Sequence, residues 1–482
     1  MRTSRLLALS LVAAAAGSAG ATVYQIHPTD DLFTTLSGLV AGDEVIVYAG
    51  TYVTPGFLQV TWAGTAGEPI VVHANPGDVP VIQGQADQNV INVSGSYFTL
   101  DGFEITGGSH GIRLIAVDHA TLSHLLLHGL GDVGISCNFE PNNCDSVTIF
   151  HNEIYDTGHS GTGEGMYLGC NNAACLFTNG TVQNNFVHDL GGAQGDGIEI
   201  KEGAYNNDVA DNVIVRSQYP GITMYGYAGT QPPNVVERNL VWHTTQDNGI
   251  QVVGQIIVRN NIVIDAFANG IQSKASQDYA PHDLAIVNNT IVETATSGIC
   301  LKSNDWPGQA NQTAANNAVY CAGGTAIDLN GGVGTAPQLD NNVGLGTNDA
   351  PGASAFALGV SLAADLGDPA SGNVFPPMGS ALIGAGFSAL APSDDFNATP
   401  RTQPPTVGAY QYDAAGNPGW IPTEGFKGSV GPPLDSDGRS SVGDDLGSPP
   451  PHHSGCGCNT RDTSPSGALP ALLALLALRR RR

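Results

Sequence analysis

Residues 185–201 read NFVHDLGGAQGDGIEIK and residues 212–225 read NVIVRSQYPGITMY, two versions of one unit. Each opens on Asn-x-aliphatic, crosses a short loop and closes on Gly-aliphatic. The first half recurs at Asn152/Ile154, Asn185/Val187, Asn212/Ile214, Asn239/Val241, Asn261/Val263, Asn289/Ile291 and Asn317/Val319. The second recurs at Gly111, Gly134, Gly165 with Met166, Gly197, Gly221, Gly249, Gly270 and Gly298. Successive Asn anchors lie 22 to 33 residues apart. Within each copy apolar and polar residues alternate at period two, and no copy carries an i, i+3, i+4 apolar stripe, so the unit is a set of short strands. So small a unit cannot bury its own apolar face, and the copies must stack. The expected fold is all-β, a right-handed parallel β-helix with an N-terminal cap. An antiparallel sandwich would instead require Asn-Gly or Asp-Gly hairpin turns at short intervals.

Composition agrees with a solenoid: only 12% of residues are charged, and 63 of 482 are Gly. The net charge of −26 repels a phosphate backbone, which excludes nucleic acid as a partner and favours divalent cations. Arg2 and Arg5, the apolar run Leu6 to Ala16 and the small-residue exit Ala19-Gly20-Ala21 have the three parts of a signal peptide. The apolar run is too short to span a bilayer. At the other end stand Cys456-Gly457-Cys458, the apolar stretch Ala468 to Leu478 and the cluster Arg479 to Arg482. That order reads as a sorting signal with its arginines on the cytoplasmic side. It resembles the sorting tail of myxobacterial surface proteins, which implies a secreted protein anchored at the cell surface and a membrane contact only through the tail.

The expected division is a signal peptide (1–21), a cap with the first coils (22–95), the repeats (96–335), a closing segment (336–412), a flexible Pro/Gly/Ser/Asp-rich stalk (413–454) and the sorting tail (455–482). A short helix within Asp30 to Val40 is expected to cover the open end, followed by strands at Glu44–Tyr48, Ile70–Ala74 and Val79–Ile82. Six cysteines lie pairwise close in sequence, Cys137 and Cys144, Cys170 and Cys175, Cys300 and Cys321, which in an exported chain predicts local disulfides. The alternative, a zinc site, lacks a Cys-x-x-Cys pair or a His spacing to support it.

The order Gly42-Asp43-Glu44-Val45-Ile46-Val47, Gly64-Thr65-Ala66-Gly67-Glu68-Pro69-Ile70, Asn75-Pro76-Gly77 and Pro80-Val81-Ile82-Gln83-Gly84 resembles the opening segment of secreted β-helix proteins of the pectate-lyase-like superfamily. Ala381-Leu382-Ile383-Gly384-Ala385-Gly386, Asp395-Phe396-Asn397 with Pro400-Arg401, and Val407-Gly408-Ala409-Tyr410 resemble the closing segment of its surface-anchored members. With the repeats, the resemblance spans nearly the whole mature chain. It implies the fold and location more than a reaction, because one fold hosts many functions.

Equivalent residues of neighbouring coils stack about 4.8 Å apart, so aligning the copies shows which side chains share a column. With the aliphatic residue after each Gly pointing inward, one outward column reads Tyr167, Glu199, Thr223, Gln251, Gln272, and another reads Gly169, Lys201, Tyr225, Val253, Lys274, Lys302. Glu164 and Asp196 precede the Gly of their coils, while Asp189 and Arg216 follow the Asn-x-aliphatic step. Carboxylates stacked at strand spacing repel unless a cation neutralises them, so Glu164, Asp189, Asp196 and Glu199 are the expected ligands of a Ca2+ ion. β-Elimination of a uronate needs its carboxylate neutralised and a base for the C5 proton. Lys201 and Arg216 are the candidate catalytic residues, and Tyr167, Tyr225 and Lys274 the candidate substrate contacts. Lyases of the superfamily hold calcium on carboxylates of adjacent coils with a lysine nearby as base, and the acids-then-lysine order of 196–201 resembles that arrangement.

The expected function is an exported monomer acting on or binding a carbohydrate, specifically a calcium-dependent lyase of an acidic polysaccharide. The alternative is a non-catalytic glycan-binding or adhesive surface protein, which the scarcity of Lys and Arg favours. A polygalacturonase-like hydrolase is discounted, since the repeats lack the Asp-Asp pair and the Gly-His-Gly of those enzymes.

Overall fold

The computed structural model describes residues 20–428, apart from 228, 295–297, 305–310, 330–337 and 350–353. The signal peptide up to residue 19, the rest of the stalk and the sorting tail lie outside the described residues. Strand pairing between coils is parallel throughout, and the chain winds as a right-handed parallel β-helix. Each middle coil contributes one strand to each of three faces. On the first face Met166–Leu168, Ile198–Ile200, Ile222–Tyr225 and Ile250–Val253 stack in order. On the second, Thr181–Gln183, Asp208–Ala210, Asn234–Glu237 and Ile256–Arg259 do so. On the third, Phe186–His188, Val213–Val215, Leu240–Trp242 and Ile262–Ala266 do so.

The aliphatic residues after each Gly point inward, as the repeat predicts: Ile135, Met166, Ile198, Ile222, Ile250 and Ile271 have no exposed surface. Glycine precedes them because the coils are tight there. A Cβ built on Gly197 would lie 2.4 Å from the carbonyl oxygen of Gly221.

The Asn half of the unit forms a continuous interior ladder. His151, Asn184, Asp211, Arg238, Asn260, Asn288 and Asn316 hold φ between +52° and +57°, and each turns the chain so that the Asn after it faces inward. Asn and Asp tolerate this left-handed region best. From Asn152 through Asn185, Asn212, Asn239, Asn261, Asn289 and Asn317 to Asn342, each side-chain amide donates to the Oδ1 of the next Asn, and each Oδ1 also accepts the backbone N–H of the preceding one. Asn212→Ala would strip the Asn185 amide and the Val182 carbonyl of their partners in a fully buried core. It is expected to cost about 2 kcal/mol. A urea titration checks this; an unchanged midpoint would make the ladder incidental.

The cap is a helix, Leu32–Ser37, shorter than expected. Asp31 caps it by accepting from the Thr34 N–H, Leu32 and Leu36 are buried, and the Trp62 indole donates to the Leu36 carbonyl at 2.9 Å. The strands Glu44–Val47, Ile70–Ala74 and Val81–Gln83 fall where expected, and an unexpected first strand, Val23–Ile26, pairs with Glu44–Val47. All three cysteine pairs are disulfides: Cys137–Cys144, Cys170–Cys175 and Cys300–Cys321.

The third face is apolar outside as well as inside from Val213 onward. Val213, Val215, Leu240, Trp242, Ile262 and Ile264 point away from the interior and are covered by Leu382, Phe396, Val407, Ala409 and Tyr410 of the closing segment. Residues 413–428 correct the expectation of a stalk beginning at Asp413. Trp420 stacks on Phe396, Phe426 stacks on His151, and Glu424 pairs with Arg216. The Lys427 ammonium donates to Asp211 and to the carbonyls of Arg238 and Phe396. This stretch has no apolar periodicity because it has no regular structure, yet its few aromatic residues and one lysine each fill a specific site.

Candidate active-site cleft

The outward side of the first face carries the column read from the sequence. Tyr167, Glu199, Thr223, Gln251 and Gln272 are successive register partners, one per coil. Lys302 joins this column opposite Gln272, not the Lys201 column in which the sequence placed it. Asn269 pairs with Ile299 and Ile271 with Leu301, which slips this coil by two positions relative to its Gly298 step.

Against this column lies a cleft of 260 Å³. Tyr167, Asp196, Glu199, Lys201, Tyr225 and Lys274 all line it. Lys201 is its centre: Nζ donates to Glu199 Oε1 at 2.8 Å and sits 5.2 Å and 4.8 Å from the ring centres of Tyr167 and Tyr225. All three partners stabilise the ammonium, because a carboxylate and two ring faces each attract a cation.

Asp196 is 5% exposed and accepts from the Thr223 hydroxyl at 2.6 Å. Burial raises its pKa well above the ordinary carboxylate value, the charge of Glu199 adds to the rise, and the Thr223 hydrogen bond opposes it. Tyr167 and Tyr225 are likewise pushed up, first by burial and then by Glu199, so both remain phenols. The two carboxyls on one wall are therefore set apart: Glu199 is matched by an ammonium, and Asp196 is not.

Three expected members stand elsewhere. Asp189 and Arg216 do not line the cleft; they pair with each other at 2.6 Å, and Arg216 reaches on to Glu424. They follow the strand of the third face, whose outward side faces away from the cleft column, and Arg216 pairs with the returning C-terminal segment. Glu164 is fully buried next to the site without lining it, and burial raises its pKa to about 7 despite a hydrogen bond from Thr162. Among the described residues no group of three or more His, Cys, Asp or Glu side chains is arranged to hold a metal ion. With Asp189 bound to Arg216, Glu199 to Lys201 and Asp196 to Thr223, the donor set does not fit calcium.

The sequence reading missed Asn171, Gln194, Tyr219, Asp247 and Gln277, which complete the lining from the loops. Column alignment is blind to loops of unequal length. One signal was present: the Cys170–Cys175 disulfide closes the loop that carries Asn171, whose side chain accepts from the Tyr167 hydroxyl. Further along the same face His110 bonds Ser136 at 3.0 Å and faces Asp132 at 3.3 Å. Ser136 has no exposed surface, so no substrate reaches it as a nucleophile.

Residues 164–343 match the family model of the right handed beta helix region. Among curated proteins no relative matches the sequence. Many solved structures are similar in fold, three polysaccharide lyases among them. Pectate lyase Pel9A is 16% identical over 82% of this chain and 97% of its own, with a TM-score of 0.49. The alginate lyase from Paenibacillus sp. str. FPU-7 is 18% identical over 64% of this chain and 99% of its own, at 0.42. A mannuronic acid specific family 6 polysaccharide lyase from human gut microbiota is 16% identical over 70% and 90%, at 0.46. At that distance the likeness carries neither a substrate nor a mechanism to this chain.

Proposed function

We propose that the outward side of the first face seats a polysaccharide chain and that the protein cleaves it at the Tyr167–Asp196–Glu199–Lys201–Tyr225 cleft. The observation that carries this is the cleft itself, where two phenol rings, two carboxyls in unlike environments and a fixed ammonium converge on one small space. Aromatic faces with a few convergent polar groups suit a sugar ring. Lys274 lines the same cleft and supplies a cation for a uronate carboxylate, which makes an acidic glycan the favoured substrate. The elimination mechanism expected from the sequence has less support, since Lys201 Nζ is engaged by Glu199 and the carboxyls do not gather into a calcium site.

A second reading is a binding site without turnover, favoured by Lys201 lying between two tyrosine rings as a ready platform. Incubation of the protein with pectate, alginate, glycosaminoglycans and neutral glucans separates the two. Shortened chains by size-exclusion chromatography, lost in Tyr167→Ala and Tyr225→Ala, support cleavage. A complex in affinity electrophoresis with chain length unchanged supports binding alone, and neither result with any glycan removes both.

Export and surface anchoring belong to the same proposal. Three disulfides support an oxidising compartment. Fractionation of expressing cells, with and without residues 455–482, tests the anchor; a protein that stays in the membrane fraction without them would refute it.

A further inference from the structure

Resting on the reading of the cleft as a polysaccharide site, we infer that Gln251, Gln272 and Lys302, flanked by Lys274, form a binding track for a uronate chain that leaves the cleft towards the C-terminal coils. Glu199, Thr223, Gln251, Gln272 and Lys302 are successive register partners, so these side chains stand about one strand spacing apart along the solenoid axis. Gln251 lines the cleft, and the track starts there.

Hydrogen bonding sets which way the two amides face. The backbone N–H of Asn269 donates to Asn248 Oδ1 at 3.2 Å, and a backbone N–H can only donate, so the oxygen of the Asn248 amide is fixed. Asn248 Nδ2 therefore points the other way, donating to Gln251 Oε1 at 3.2 Å and to Gln272 Oε1 at 2.9 Å. Both glutamines have their oxygen committed to the protein. Their Nε2 groups have no hydrogen-bond partner among the described residues, although the two residues are only 6% and 8% exposed. Nearly buried amide donors left open on an outward face call for acceptors from outside the chain.

The cations follow the same pattern. In a chain of net charge −26 the described residues include nine Lys and Arg side chains, and seven of them are bound by protein acceptors. The two with no side-chain hydrogen bond or ion pair among the described residues are Lys274 and Lys302, and both stand at this row. Amide and ammonium donors in line match the carboxylate oxygens repeated along a uronate chain. The column also gives the track its direction. On the other side of Tyr167 it runs to Ser136 and Arg113, and both are tied to His110. Beyond Lys302 its next member is Asp328, a carboxylate with nothing to donate, so the track ends at Lys302.

The test titrates the full chain with uronate oligosaccharides prepared from pectate and from alginate, disaccharide to octasaccharide, and with neutral glucans of the same lengths. Affinity is read by calorimetry, or as KM where the oligomer is cleaved. Affinity for the uronates should rise with length, level once the chain reaches Lys302, and fall with added salt. Lys302→Gln should weaken the longest uronate about tenfold while the shortest one bound keeps its affinity, and Lys302→Arg should restore the loss. Gln272→Glu keeps the oxygen that Asn248 holds and puts a carboxylate oxygen in place of the open donor, so it should weaken the long uronates at least as much. An unchanged urea midpoint for Lys302→Gln keeps the comparison one of binding. Equal affinities of the unaltered protein and Lys302→Gln at every length, or neutral glucans bound as tightly as uronates, would overturn the track and leave the cleft reading standing. No binding of any oligomer would overturn both.

Discussion

Lys427→Met is expected to destabilise the protein by about 3–5 kcal/mol, the usual cost of removing one partner from a buried ionic cluster. The lysine is 4% exposed and uses all three of its protons: to Asp211 Oδ1 at 2.7 Å, to the Arg238 carbonyl at 3.0 Å and to the Phe396 carbonyl at 2.6 Å. Methionine fills the volume but donates nothing. Asp211 retains Arg238, yet the balance of the cluster is lost: Arg238 also serves Glu237 and Asp394, and Glu237 also holds Arg259, so three carboxyls are left with two guanidiniums. Two carbonyls are left without a donor in the same stroke. Because Lys427 ties this segment to Asp211 and Arg238 of the coils, its loss should also loosen residues 411–428. Urea denaturation gives the stability, and limited proteolysis gives the loosening as earlier cleavage between Asp413 and Glu424. Adding Asp211→Asn should recover part of the loss, since it removes the charge left in excess. A change below about 1 kcal/mol with unaltered proteolysis would show that the segment is held by its aromatic contacts alone.

This latch illustrates what a repeat does and does not disclose. The Gly-Ile and Asn-x-aliphatic steps are legible because each lies at the same place in every coil and answers to a local demand: a glycine where coils nearly touch, an Asn after a left-handed residue. The column Tyr167, Glu199, Thr223, Gln251, Gln272 followed from that alignment alone, and with it most of the cleft wall. The outward face of Val213–Val215, Leu240–Trp242 and Ile262–Ile264 was also written in the sequence, as strands apolar on both sides, which marks burial on both sides. What buries them comes from residues 380–428, some 120 to 200 positions later, with no repeat to betray it. Asp189 and Arg216 were misplaced for a related reason. Proximity along the chain put them near Asp196, but they follow strands of a different face, and Glu424 from the distant segment completes their pairing. Buried charges of this kind are set by tertiary partners that period and spacing do not encode.

Glu164→Gln should markedly change the pH dependence of stability. The carboxyl is fully buried, one oxygen accepts from Thr162, the other has no hydrogen-bond partner, and the charges of Glu199 and Asp132 add to the effect of burial. Its pKa rises from 4.5 to about 7 on folding. A carboxyl with a raised folded pKa favours the folded state fully below the unfolded value, and the contribution is lost as pH climbs through the folded one. The native chain should therefore lose up to about 3 kcal/mol from this one group between pH 4.5 and just above 7. Glutamine keeps the shape and the neutral state at every pH. In chelator-treated buffer the variant should match the native protein near pH 4.5 and exceed it above neutrality, by an increment that grows across that window and then levels. Asp196 titrates in both proteins, but the Glu164 charge adds to its raised pKa, so the difference between the two curves carries Glu164 together with its coupling to Asp196. Parallel curves across the window would mean that Glu164 is ionised in the fold, with a counter-charge supplied from outside the chain, and a cation beside the cleft would then have to be sought.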